Sequence, residues 1–162
     1  MNDFYDFIII GAGISWCTLA SSLNKRFSDT SILLIENGRR IGGRSTTRNS
    51  RNNKIIEFDH GLPSIHFNET ISKELLTFIS PLIKSNTLVD VTKDLLMIND
   101  FGKINNLSTY GKTYRGFPFM INFIEAIINQ STNPKKIDFL FHTLINSILR
   151  RNDVWELKTS NK

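Results

Sequence analysis

The chain opens on two short apolar runs separated by an amphipathic stretch. Phe7-Ile8-Ile9-Ile10 is wholly apolar and ends at Gly11. That pattern predicts a strand buried on both faces, as in a parallel sheet. From Ile14 to Arg26, Trp16, Leu19, Ala20 and Leu23 fall at helical spacing, with Lys25 and Arg26 in the last turn, where cations suit the helix dipole. Ser31-Ile32-Leu33-Leu34-Ile35-Glu36 is a second apolar strand closed by an acid. Strand, helix and strand within about 30 residues make a βαβ unit, with a right-handed crossover.

The pattern then loosens. Residues 37–54 read as a loop rich in Gly, Arg, Ser, Thr and Asn, and residues 55–58 as a short third strand ahead of Asp59-His60-Gly61. Residues 71–83 predict a helix that bends or ends near Pro81. Residues 95–104 have the form of an antiparallel hairpin around Asn99-Asp100-Phe101-Gly102. Residues 120–128 form a strongly apolar helix after Pro118. Residues 137–143, 144–149 and 154–159 read as strands, with a turn at Arg151-Asn152-Asp153. The sum is an α/β chain with the start of an antiparallel sheet.

Composition narrows the class. At 162 residues, 40% hydrophobic and 22% charged, the chain can build a real core and is not disordered. Its single cysteine makes no internal disulfide and no zinc or iron–sulfur cluster. No run approaches the ~18 apolar residues that span a membrane. Met1 to Asp6 carries acids where a secretory leader carries Lys or Arg, so a cytoplasmic protein is expected. The net charge of +5 gathers in Arg39, Arg40, Arg44, Arg48, Arg51 and Lys54, with no acid between Glu36 and Glu57. Aromatic residues do not interleave with these, so no nucleic-acid partner is expected. A field for bound phosphates explains part of the charge, and a solvated loop the rest.

Gly11-Ala12-Gly13-Ile14-Ser15-Trp16 stands where a G-x-G-x-x-G fingerprint belongs, between strand and helix. The first glycine permits the tight turn. The second lets a pyrophosphate approach the backbone, where the helix N-terminus binds it through free N–H groups. Glu36, about 20 residues on, is placed to hold the ribose hydroxyls of an adenosine. The plain alternative is an ordinary glycine turn with an exposed strand-end acid. Trp16 departs from the motif, because the third position wants no side chain.

Arg40-Ile41-Gly42-Gly43-Arg44-Ser45-Thr46-Thr47 follows, an R-x-G-G-R-x-x-T pattern directly after the second strand. With Gly11 and Gly13 before it and Asp59-His60-Gly61 after it, the chain resembles the FAD-dependent amine-oxidase superfamily, most closely its renalase-like branch. Gly116-Phe117-Pro118-Phe119-Met120 also resembles that family's G-x-P-G-M turn, with Phe119 in place of the glycine. The resemblance implies a Rossmann-type FAD-binding segment over residues 1–67. It implies a partial substrate domain over 68–117, and a helix and strands returning to the nucleotide-binding domain over 118–162. It implies FAD as cofactor, with Gly11, Gly13, Ile14 and Ser15 at the pyrophosphate and Glu36 at the ribose. Arg40, Gly42, Gly43, Arg44 and Thr47 would lie along the phosphate and ribityl side, and His60 and Gly61 near the flavin ring. A small-molecule substrate, an amine or a reduced nicotinamide-type compound, would give the flavin a hydride. Family members are about twice this length, so the alternative is a non-catalytic dinucleotide-binding chain, or one needing a partner chain for the rest. A plain NAD-binding module is a further alternative.

No catalytic acid or base is assigned, because a flavin carries hydride chemistry itself. His60 is read as held near the flavin by its backbone. His66 and His142 are read as packing or surface residues, and no metal site is expected. Cys17 is read as a small buried helix residue. Phe117, Phe119, Phe123, Phe139 and Phe141 are read as core, with a substrate pocket as the alternative.

Overall fold

A computed structural model describes residues 4–53, 55–68, 71–106 and 111–161. Lys54 of the basic stretch and Met1, Asn2 and Asp3 of the N-terminal segment lie outside these residues. The elements run β1 (Phe7–Ile10), α1 (Ile14–Arg26), β2 (Ile32–Ile35), β3 (Ser45–Asn49), β4 (Glu57–Gly61), β5 (Ile65–Phe67) and α2 (Lys73–Lys84). They continue with β6 (Leu88–Asp90), β7 (Leu96–Ile98), β8 (Ile104–Asn106), β9 (Lys112–Gly116) and α3 (Met120–Asn129). The last three are β10 (Ile137–Leu140), β11 (Thr143–Arg151) and β12 (Val154–Asn161). The chain is mixed α/β, with a parallel βαβ start and antiparallel sheets after it. It forms two compact units, Met1–Thr46 with Ile127–Lys162, and Thr47–Ala126.

In the first unit β2 is the middle strand of a parallel sheet ordered β1-β2-β10. All four of its residues are buried, as a continuous apolar run requires. β1 is also apolar but, among the described residues, pairs on one side only. Ile9 is 5% exposed, whereas Ile8 and Ile10 are 37% and 47% exposed. The expectation of burial on both faces therefore holds for the central strand and not for the edge strand.

α1 covers the expected residues, but of the expected positions Trp16, Leu19, Ala20 and Leu23 only Ala20 is buried. Cys17, Ala20, Ser21 and Asn24 are buried, while Trp16 and Leu19 are exposed. These four positions also follow the i, i+3, i+4, i+7 rule. Their small side chains let the helix sit close to the sheet, which large apolar residues on that face would prevent. β11 and β12 form an antiparallel hairpin, and the turn between them uses Asn152 and Asp153 at φ 47° and 64°. Positive φ at both central residues matches the twist of a two-residue hairpin turn.

The second unit holds an antiparallel sheet ordered β5-β9-β6 and the expected β7–β8 hairpin, in which Ile98 pairs with Ile104. α2 begins at Ser72, whose hydroxyl accepts the N–H of Leu75 at 3.2 Å. It runs past Pro81 to Lys84. A proline deletes one donor only, and the following turn still closes, with the Ser85 N–H on the Pro81 carbonyl at 3.0 Å. Within the stretch 37–54, β3 pairs with β4. Its sequence, Ser-Thr-Thr-Arg-Asn, has no apolar alternation to reveal a strand. β4 carries the whole Asp59-His60-Gly61 motif inside a strand.

Candidate functional site

The first unit brings the fingerprint residues together at the ends of β1 and β2. Gly11 leaves β1 at φ 102°, a conformation that suits glycine, and its N–H donates to the Ile35 carbonyl at 2.7 Å. Gly13 is the N-cap of α1, with no side chain capping the helix and no acid in its first turn. The first-turn N–H groups of Ile14 and Ser15 thus meet no negative charge from their own helix. A Cβ added to Gly13 would meet nothing within 4 Å, so the backbone there faces open space.

Glu36 sits beside this turn. One carboxylate oxygen accepts the N–H of Ala12 at 2.9 Å, and the other accepts that of Gly38 at 2.6 Å. Each oxygen keeps a further lone pair, so the side chain is held in a fixed pose and can still accept from hydroxyl donors. Gly42 and Gly43 close on the same turn. Gly13 and Gly42 form a parallel bridge, and the Gly42 N–H donates to the Ala12 carbonyl at 2.7 Å. A Cβ on Gly43 would lie 3.4 Å from the Gly13 Cα, so the paired glycines let two turns approach backbone to backbone. Arg40 and Arg44 flank this contact and are exposed.

Trp16 resolves its conflict with the motif by folding onto Gly11. A Cβ on Gly11 would lie 3.0 Å from the indole Cδ1 and 3.3 Å from Nε1. The ring remains 46% exposed. Gly11 thus accommodates a neighbouring side chain as well as a turn, a contact that motif spacing does not reveal. Cys17 is buried and its thiol points back to the Ala12 carbonyl at 3.4 Å. Burial first, and the Glu36 carboxylate second, push that thiol up to about 12.

Thr47, His60 and Gly61 fall in the second unit. Thr47 is buried and donates its hydroxyl to Asp59 at 2.8 Å, while accepting the Ile121 N–H at 3.4 Å. Asp59 also accepts the Met120 N–H at 2.9 Å. These two side chains satisfy the first donors of α3, a cap supplied from distant strands. Sequence reading missed this role of Asp59, because no local capping motif announces it. His60 is exposed. His66 Nδ1 lies 2.9 Å from the Thr113 hydroxyl. Among the described residues no group of His, Cys, Asp and Glu could hold a metal ion, and no helix is long and apolar enough to cross a membrane. Of the five phenylalanines, Phe123 is buried in the second unit, and Phe139 stacks on Phe141 in the first, with ring centroids 5.7 Å apart.

The family model described as an NAD(P)-binding Rossmann-like domain matches residues 9–79. No curated protein matches the chain. Among solved structures, the putative protoporphyrinogen oxidase from Exiguobacterium sp. 255-15 superposes with a TM-score of 0.63 at 14% identity. That match covers 94% of this chain and 56% of the other. PqsL of P. aeruginosa, in complex with 2-aminobenzoylacetate, gives 0.55 at 14% identity, over 96% of this chain and 38% of that one. The Diels-Alderase PyrE3, of the biosynthetic pathway of pyrroindomycins, gives 0.51 at 13% identity, covering 94% and 28%. At such identities the likeness shows the fold. This chain spans less than two thirds of each of these structures. The fold is mixed α/β with a Rossmann-like βαβ start.

Proposed function

We propose that the chain binds FAD through its adenosine diphosphate portion and belongs to an FAD-dependent oxidoreductase of the renalase-like kind. The observation that carries this reading is the joined turn of Gly13, Gly42 and Gly43 beside Glu36. It offers an uncapped helix N-terminus to a pyrophosphate and a fixed carboxylate to a ribose. The residues present fit that portion of the cofactor. Glu36 would accept from the ribose hydroxyls, the Ile14 and Ser15 N–H groups would donate to the pyrophosphate, and Arg44 would supply a fork of donors. When bound, FAD supplies the hydride acceptor for an amine or a reduced nicotinamide-type substrate.

Titration calorimetry with FAD and with ADP tests this reading. Each should bind once per chain, and Glu36→Ala should weaken both by about tenfold or more, since a lost carboxylate–hydroxyl pair costs roughly 1.5–3 kcal/mol. A chain that binds neither ligand at millimolar concentration overturns it. A second reading, a nucleotide-binding chain without catalysis of its own, is favoured by one observation, the indole of Trp16 lying on Gly11.

A further inference from the structure

We infer that Trp16 sets which part of an adenine dinucleotide this chain accepts, admitting the nucleoside diphosphate and obstructing whatever is attached beyond it. The inference rests on the dinucleotide-binding reading and concerns the same turn. A dinucleotide lies across the carboxyl ends of the strands, with one half on each side of the first strand. Here Glu36 fixes the ribose end, because it closes β2. The pyrophosphate seat follows at Gly13 and the uncapped start of α1. From there the rest of the ligand must continue over the end of β1, which is Gly11.

Two separate observations meet at that point. The Trp16 ring lies against the position a Gly11 Cβ would take, with Cδ1 and Nε1 3.0 Å and 3.3 Å from it. The flank that a bare glycine would leave to the ligand is therefore filled. The open side of the turn is over Gly13, where nothing lies within 4 Å. Among the described residues β1 is also the edge of its sheet, with β2 on one side of it. A nucleoside diphosphate ends before this obstruction. A full dinucleotide has to displace the indole, losing its contact with Gly11.

The test compares ADP and FAD by calorimetry on the full chain and on Trp16→Ala and Trp16→Phe. The native chain should bind ADP at least as tightly as FAD. Trp16→Ala should tighten FAD at least about tenfold while moving ADP no more than about threefold, so the ratio of the two constants shifts. Trp16→Phe, which keeps a ring on Gly11, should stay near the native ratio. Circular dichroism checks that both variants fold, as expected for a half-exposed side chain. An unchanged ratio in Trp16→Ala, with both ligands still bound, overturns the role of Trp16 and leaves the dinucleotide reading standing. A native chain that prefers FAD tenfold or more overturns it as well. If neither ligand binds any variant, the dinucleotide reading fails and this inference fails with it.

Discussion

Cys17 follows Trp16 in the chain and has a different fate: the indole is half in water and the thiol is fully covered. Its ionisation is pushed up to about 12, by burial and then by the Glu36 carboxylate. A thiol reagent at pH 8 should leave the folded chain unmodified and label one thiol per chain after denaturation. Appreciable labelling of the folded protein would show that the thiolate forms more easily than this environment allows. The same shift has a signed effect on stability. The folded pKa lies above the unfolded one, so the contribution is whole below the ordinary thiol value. It is lost as pH rises from that value toward about 12, where the unfolded chain releases its proton first. Cys17→Ser should remove this alkaline loss, read as the change in urea midpoint between pH 8 and pH 10. At this scale Gly11, Gly13 and Glu36 were legible from spacing alone, because a turn and a strand end fix where their backbones lie. The ring of Trp16 on Gly11 was not, since spacing says nothing of the direction in which a side chain folds.

Elements tell a similar story, with a different source of error. α3 was legible because Met120, Phe123, Ile124, Ile127 and Ile128 follow the helical period, and all five are buried. What starts it was not, since its cap comes from Asp59 and Thr47, more than sixty residues earlier in the chain. Asp59→Ala removes the acceptor for both Met120 N–H and the Thr47 hydroxyl, and should cost about 1–2 kcal/mol in urea unfolding, the usual worth of a cap. Ile124→Ala in the same helix deletes fully buried carbon and should cost more, about 2–5 kcal/mol. If Asp59→Ala leaves the midpoint unchanged, the carboxylate is not supporting the helix. In α1 the period was visible but its phase was not. Trp16, Leu19, Ala20 and Leu23 signalled one face, of which Ala20 alone is buried, together with Cys17, Ser21 and Asn24. Close βαβ packing selects for size as well as for hydrophobicity, and hydrophobic periodicity counts only the second. β3 was hidden for a related reason, since a strand of Ser, Thr, Arg and Asn presents no apolar alternation.

For the molecule as a whole, the consequential feature is the free edge of the parallel sheet. Parallel sheets ordinarily bury their strands, and β1 has the composition for that: Phe7, Ile8, Ile9 and Ile10. Yet among the described residues only β2 pairs with it, on one side. The N–H groups of Phe7 and Gly11 reach the Ser31 and Ile35 carbonyls at 3.1 Å and 2.7 Å. By the period of two along a strand, those of Ile8 and Ile10 point the other way. They open on a groove of about 810 Å³ whose lining includes Ile8, Ile10, Ile148, Trp155 and Leu157 together with Asp6 and Asp153. An unpaired, apolar, uncharged edge is a template for another strand, and charge on it is how such edges are kept apart. The chain should therefore self-associate as its concentration rises, read by light scattering. Ile10→Lys places a charge on the exposed face of that edge and should raise the onset concentration several-fold, at little expense in stability because the side chain is half in water. Ile9→Lys, on the buried face one residue away, should instead unfold the unit, since an unpaired charge would enter the core. Should Ile10→Lys associate as readily as the native chain, the sticky surface lies elsewhere. The exposed β7–β8 hairpin, with Ile98, Phe101 and Ile104 in water, would then be the next place to put the charge.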